Sequence, residues 1–236
     1  MPSREQRFIV TCEHGGNRIP PRYTTLFTAY HAALNSHRGW DPGALVLARR
    51  LATTLDAALV VSQTSRLLID LNRSEHHRDL FSTVTRALPQ QLRDRILDEH
   101  YRPHRAAVEA AADAAIDAGA RVVHVAAHSF TPVLDGQTRR VDIGLLYDSR
   151  RAREAKWCDR WIAALSVALP DLEIRRNYPY RGDADGLTTE LRRIYRVADY
   201  LGIEVELNQR LVAQPSRFRR VAQAICSTLA DLSVEG

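Results

Sequence analysis

Three polar clusters, far apart in the chain, carry the residue types that hydrolytic chemistry needs. The first is Glu13-His14-Gly15-Gly16, where a carboxylate and an imidazole adjoin glycines that let backbone come close to a ligand. The second is Asp70-Leu71-Asn72-Arg73, directly after the apolar run Leu67-Leu68-Ile69. Asn72 and Arg73 together offer a side-chain amide and a planar fork of donors, suited to a carboxylate or a polarised carbonyl oxygen. The third joins His128 to the acids Glu204 and Glu206. Histidines and a carboxylate around an open coordination position make a hydrolytic zinc site; a separate glutamate can move the proton of water, and an arginine can hold substrate charge or an oxyanion. Such an inventory suggests metal-assisted hydrolysis of an amide in a small acidic molecule.

For these clusters to meet, the elements carrying them must end on one rim. Residues 7–12 read as a first strand, 59–61 as a short second one, and 65–69 as a strand-like approach to Asp70. Residues 121–127 read as a buried strand ending on His128, 141–147 and 172–175 as further strands, and 202–208 as a last strand with Glu204 and Glu206 on one face. Helices are expected at 42–55 (with Asp41 as N-cap), 89–101, 103–118 (stopped by Gly119), 150–169 and 216–232, with 22–38 irregular or weakly helical. Strands alternating with helices predict an α/β domain with a mostly parallel sheet. Ligands in such sheets sit at the carboxyl ends of the strands, so one rim should gather His14, Asp70, Asn72, Arg73, His128 and Glu206.

Asp41 precedes Pro42 at a helix start, where an acid is a good N-cap and proline fits the first helical position; a ligand at the site rim is its other reading. His100 and His104 lie one helical turn apart, but Pro103 intervenes and no H-E-x-x-H motif is present. His124 shares a face with His128 but lies deep in its strand, as a core histidine would. The loop 177–186, rich in Gly, Pro and Tyr, reads as a shaped flap. Its Asn177 and Tyr180, together with Arg140, are candidate substrate contacts.

The 236 residues, 45% hydrophobic and 26% charged, suit one soluble globular domain spanning 1–236, as a monomer or homodimer. No apolar run approaches the roughly 20 residues needed to cross a bilayer, and the first residues lack a signal-peptide core, so no membrane association and a cytoplasmic location are expected. The net charge of +5 comes from basic residues dispersed among acids, without a contiguous tract. That pattern argues against nucleic acid and for a small anionic substrate. Three distant cysteines exclude a disulfide framework. Cys12, beside Glu13 and His14, is read as a buried structural thiol, with a nucleophilic role as the alternative.

Taken in order, Glu13-His14-Gly15-Gly16-Asn17-Arg18-Ile19-Pro20, Ser65-Arg66-Leu67-Leu68-Ile69-Asp70-Leu71-Asn72-Arg73-Ser74, Ala127-His128-Ser129-Phe130, Asn177-Tyr178-Pro179-Tyr180 and Glu204-Val205-Glu206-Leu207-Asn208 resemble the N-formylglutamate amidohydrolase family over nearly the whole chain. That family is similar to zinc carboxypeptidases and aspartoacylases, whose Asp-Leu-Asn-Arg motif matches residues 70–73. The resemblance implies a three-layer α/β/α sandwich of the zinc-carboxypeptidase, phosphorylase/hydrolase-like kind. It also implies zinc, or another divalent metal, on His14 and His128, Glu206 as general base, and Arg73 on substrate. Zinc carboxypeptidases place a glutamate ligand three residues after the first histidine, where this chain has Asn17, so Glu13 and Asp41 compete for the third ligand position. The implied reaction removes a formyl or other acyl group from an N-acyl acidic amino acid such as N-formylglutamate. The alternative is a non-catalytic protein that binds a small acidic ligand on a decayed hydrolase site.

Overall fold

The computed structural model describes residues 4–234. Apart from a small hairpin of Val133–Leu134 with Gln137–Thr138, its strands are β1 (Gln6–Cys12), β2 (Ala58–Val61), β3 (Arg121–Phe130), β4 (Ile143–Leu146), β5 (Ile174–Arg176) and β6 (Tyr200–Asn208). They form one sheet in the order β2-β1-β3-β6-β4-β5, parallel throughout except where β4 runs against β6. The main helices are α1 (Ala44–Leu55), α2 (Arg102–Asp117), α3 (Ala152–Ala168), α4 (Leu187–Ile194) and α5 (Pro215–Val234). Helices cover both faces, giving the expected three layers.

Alternation along the strands splits the sheet chemically. Val10, Cys12, Val123, Val125, Ala127, Ile203 and Val205 meet α1, α3 and α5 in the largest hydrophobic cluster. The opposite face presents Thr11, His124, His128, Glu204 and Glu206, all buried, toward α2 and α4. Its apolar cluster is smaller, built from Ile9, Val108, Ala112, Val122, Leu187, Leu191 and Tyr200. Five buried polar side chains on that face need partners, because an unpaired buried polar group costs more than its hydrogen bond returns.

Several elements depart from the sequence reading. Residues 65–69 are turns, not a strand. Leu68, Ile69 and Leu71 are buried, but in a separate cluster with Tyr23, Phe27, Leu34, Leu80, Ile96 and Tyr101, so burial there reports a side core and not the sheet. Residues 21–34 are a 3-10 helix, Pro21–Tyr30, and one short α turn. α1 begins at Ala44 after Gly43, whose φ of 82° is left-handed; the Asp41 side chain does not cap it. Helix runs unbroken past Pro103, because a π turn at Leu97–Tyr101 shifts the bonding, with Arg102 N–H donating to the Leu97 carbonyl. Among the described residues no helix is long and apolar enough to cross a membrane.

His124 shows how this face is satisfied. Its Nε2 lies 2.8 Å from Thr11 Oγ1 and its Nδ1 2.6 Å from the Tyr200 hydroxyl. Burial holds this imidazole down to about 4, from an ordinary 6.5. Between those values the unfolded chain binds a proton that the folded chain refuses, so this contribution is full above pH 6.5 and is lost as pH falls toward 4. His124→Gln should therefore lose about 2 kcal/mol less stability than the parent between pH 7 and pH 5. Urea unfolding at the two pH values measures it, and equal losses would contradict the assignment.

Candidate metal centre and pocket

His14 follows β1 by two residues, His128 lies near the end of β3, and Asp41 comes from the turn before α1. The Asp41 backbone N–H donates to the His14 carbonyl (2.9 Å), which pins that turn against the end of β1. The Asp41 Oδ2 lies 3.0 Å from His128 Nδ1 and 3.4 Å from His14 Nδ1. One ligand atom from each of the three residues falls within 4.8 Å of the others, and the imidazole centroids are 5.2 Å apart. All three side chains are nearly removed from solvent, at 4% exposure or less.

Each ring is also held on its far nitrogen. Asp70 Oδ1 lies 2.6 Å from His14 Nε2, and Glu13 Oε2 lies 3.0 Å from His128 Nε2. Glu13, expected as a possible ligand, thus sits behind His128, and Asp41 holds the place between the rings. Glu13 comes in the turn directly after β1 and is fully buried, its two oxygens facing His128 and His104. Asp41, in turn, is in the cluster and not at the helix cap. Arg66 joins the assembly from the turn before Asp70: its Nη2 donates to Asp70 Oδ2 (2.6 Å) and its Nη1 lies 3.6 Å from Asp41 Oδ1.

Burial alone would raise the Asp70 carboxyl, but the Arg66 and His14 charges hold it well below the carboxylate range. Asp41 is likewise held low, against burial, by His14, His128 and Arg66. The two rings respond in kind: burial would lower them, and the facing carboxylates raise both above the ordinary imidazole value. Glu206 differs. It pairs in register with His128 across β3 and β6, and its Oε2 has no hydrogen-bond partner. Burial, with the charges of Asp41 and Glu204 adding, pushes its carboxyl up to about 8 against the pull of His128.

These residues form the floor of a cavity of 390 Å³. Asn72, Arg73, Tyr180 and Glu206 line it as expected, and so does Arg66, for which the sequence reading had no role. Arg73 Nη1 donates to the Asp185 carbonyl (3.2 Å), and Asn72 Oδ1 accepts from Leu187 N–H (2.8 Å), capping α4. Phe130, Leu134 and Leu146 supply an apolar wall.

Two expected substrate contacts are elsewhere. Asn177 has left-handed backbone (φ 48°), and its Oδ1 accepts from the N–H groups of Tyr147 and Gly182, so it shapes the flap and does not line the cavity. The flap lies hard on the sheet: a Cβ on Gly144 would stand 1.7 Å from the Tyr178 carbonyl oxygen. Arg140 is exposed and does not line the cavity. Its neighbour Arg139 reaches the mouth instead, stacked over Tyr180 (5.2 Å) and Phe130 (5.9 Å). Cys12 is fully buried, and burial pushes its thiol up, which leaves it a core residue.

The N-formylglutamate amidohydrolase family profile matches residues 6–213. The structure of gene product Atu2144 from Agrobacterium tumefaciens superposes with a TM-score of 0.80 at 29% identity, covering 99% of this chain and 93% of that one. An N-formylglutamate amidohydrolase from Ralstonia eutropha JMP134 superposes with a TM-score of 0.70 at 15% identity, covering 100% and 96%, a likeness of fold. No curated protein matches the chain in sequence. With its profile match running from the first strand to beyond the last, the chain belongs to the N-formylglutamate amidohydrolase family.

Proposed function

We propose that this protein is a zinc-dependent amidohydrolase that removes the formyl or a similar small acyl group from an acidic amino acid, N-formylglutamate being the first substrate to try. The observation that carries this reading is the convergence of His14, Asp41 and His128 on the floor of a cavity that also holds Glu206 and three arginines, Arg66, Arg73 and Arg181.

The donor set fits a divalent ion. His14 Nδ1 is buried with no hydrogen-bond partner, although it faces the Asp41 carboxylate. Two imidazole nitrogens and one carboxylate oxygen, with the cavity above them, are a catalytic zinc set with an open position. Asp41 and Asp70 share one guanidinium, Arg66, and Glu13 lies behind His128; three buried acids against one arginine leave an excess of negative charge that a dication balances. Bound there, zinc would supply Lewis acidity toward the amide carbonyl and make water a stronger nucleophile at neutral pH.

The protein's own groups do the rest. Burial raises the Glu206 carboxyl in the metal-free protein, and the charge of a dication beside it would return it to its ionised form. As a carboxylate without a partner, it then takes the proton from the attacking water at its Oε2 and returns it to the leaving amine nitrogen. The C–N bond breaks as the carbonyl carbon gains the water oxygen, giving a carboxylic acid and a free amino acid. Arg73 and Asn72 hold a substrate carboxylate or the oxyanion, and the cationic mouth with Arg66 favours anionic amino acids over neutral ones. The wall of Phe130 and Leu134 excludes water from the acyl side. A decayed binding site is the rival reading, and zinc content with turnover on a panel of N-acyl amino acids separates the two.

Glu206→Gln should lower kcat about 10²- to 10⁴-fold with KM little changed, as for the loss of a general base; steady-state deformylation reports it, and unchanged turnover removes Glu206 from the mechanism. Asp41→Asn should weaken zinc binding by more than about 100-fold, beyond what outer groups usually cost. Competition against a chelator measures this, and retained zinc would return the third ligand position to Glu13.

A further inference from the structure

The polar sheet face holds a second acid–base pair that the proposed reaction does not use: Glu13 and His104. Glu13 is 0% exposed. Its Oε2 lies 3.0 Å from His128 Nε2, and its Oε1 lies 3.8 Å from His104 Nε2, which enters from α2. Beyond these imidazoles, neither carboxylate oxygen has a hydrogen-bond partner among the described residues. A buried carboxylate is costly unless it is paired, and here its whole environment is two rings, one of which faces Asp41.

We infer that Glu13, backed by His104, is a positioning residue that fixes the His128 ring as an Nδ1 donor; the inference rests on the metal reading above. Two groups compete for the far nitrogen of that ring. One is the Glu13 carboxylate, which can only accept and so favours a proton on Nε2. The other is the Asn72 amide, whose Nδ2 stands 3.4 Å from the same nitrogen. The orientation of that amide is set, because its Oδ1 accepts from Leu187 N–H at 2.8 Å. An N–H donor there favours a bare Nε2, which would put the proton on Nδ1, facing Asp41, and close the ring to a metal. The shorter, charged contact to Glu13 tips the choice toward a bare Nδ1. On His14 no such competition exists: Asp70 alone meets its Nε2. His104 keeps the Glu13 carboxylate aimed through a charge contact to its second oxygen, at 3.8 Å longer than a hydrogen bond.

The test is zinc affinity, measured by chelator competition on folded protein, with the His128 tautomer read by nitrogen-15 NMR. Glu13→Gln should bind zinc about 10- to 100-fold more weakly, as outer-group changes do, and should lose the uniform Nε2–H signature in the zinc-loaded protein. His104→Leu should weaken zinc in the same direction, while His104→Gln, which keeps an N–H donor toward Glu13, should restore it. In a Glu13→Gln background His104→Leu should add nothing, because His104 acts through Glu13. A purely structural role would lower melting temperature without moving zinc affinity or tautomer, and that result overturns the inference. If Glu13→Gln does not fold, equal zinc affinities for the two His104 variants overturn it instead. A parent protein that takes up no divalent ion sinks the metal reading and this one with it; zinc in the parent and unchanged variants sinks this one alone.

Discussion

A carboxylate shut away from water between two imidazoles is the constraint on which the structure turns. Asp41 is 4% exposed, and a charge so placed is tolerated only when every neighbour answers it. The answer extends well beyond the pair of rings. Arg66, Asp70, His14, Asp41, His128, Glu13 and His104 form a chain in which base and acid alternate, each in contact with the next. Removing one partner of a buried ion pair typically costs about 3–5 kcal/mol, so the members hold one another in place.

The fold supplies this chain from separate segments. One face of the sheet is given over to aliphatic packing against α1, α3 and α5, which leaves the other face free to carry histidines and glutamates. The segment between β1 and α1 and the excursion between β2 and α2 together build a small core, and that core anchors the turns bearing Arg66 and residues 70–73. Arg73 is fixed from behind as well, its carbonyl accepting from the Tyr101 hydroxyl and from Arg105. At the mouth, Arg139 ties the loop after β3 to the flap through its stack on Phe130 and Tyr180. The site is therefore rigid at its floor and polar at its rim, as a pocket for a small anion should be.

Much of this was legible in the sequence, and the exceptions have physical reasons. His14, His128 and Glu206 could be placed because strand alternation and strand ends are local signals. Asp41 against Glu13 could not be decided, since an acid before Pro42 satisfies the helix-start pattern and nothing local reports that Gly43 takes the cap position. The run 65–69 imitated a strand because Leu68 and Ile69 are buried, but burial does not say in which core. α4 is only eight residues long, so its stripe of Leu187 and Leu191 is brief, and Arg192 shares the inward face, buried against Glu154 and the carbonyls of Gly182 and Gly202. Arg140 and Arg139 are adjacent, and only the path of the backbone tells which one reaches the mouth.

The most direct test of the central claim is X-ray absorption at the zinc edge of the loaded protein, which reads ligand atoms without reference to turnover. Two imidazole nitrogens at about 2.0–2.1 Å, completed by oxygen and with no sulfur, is the result the account predicts. A shell containing sulfur near about 2.3 Å, or zinc with fewer than two imidazoles, would contradict it.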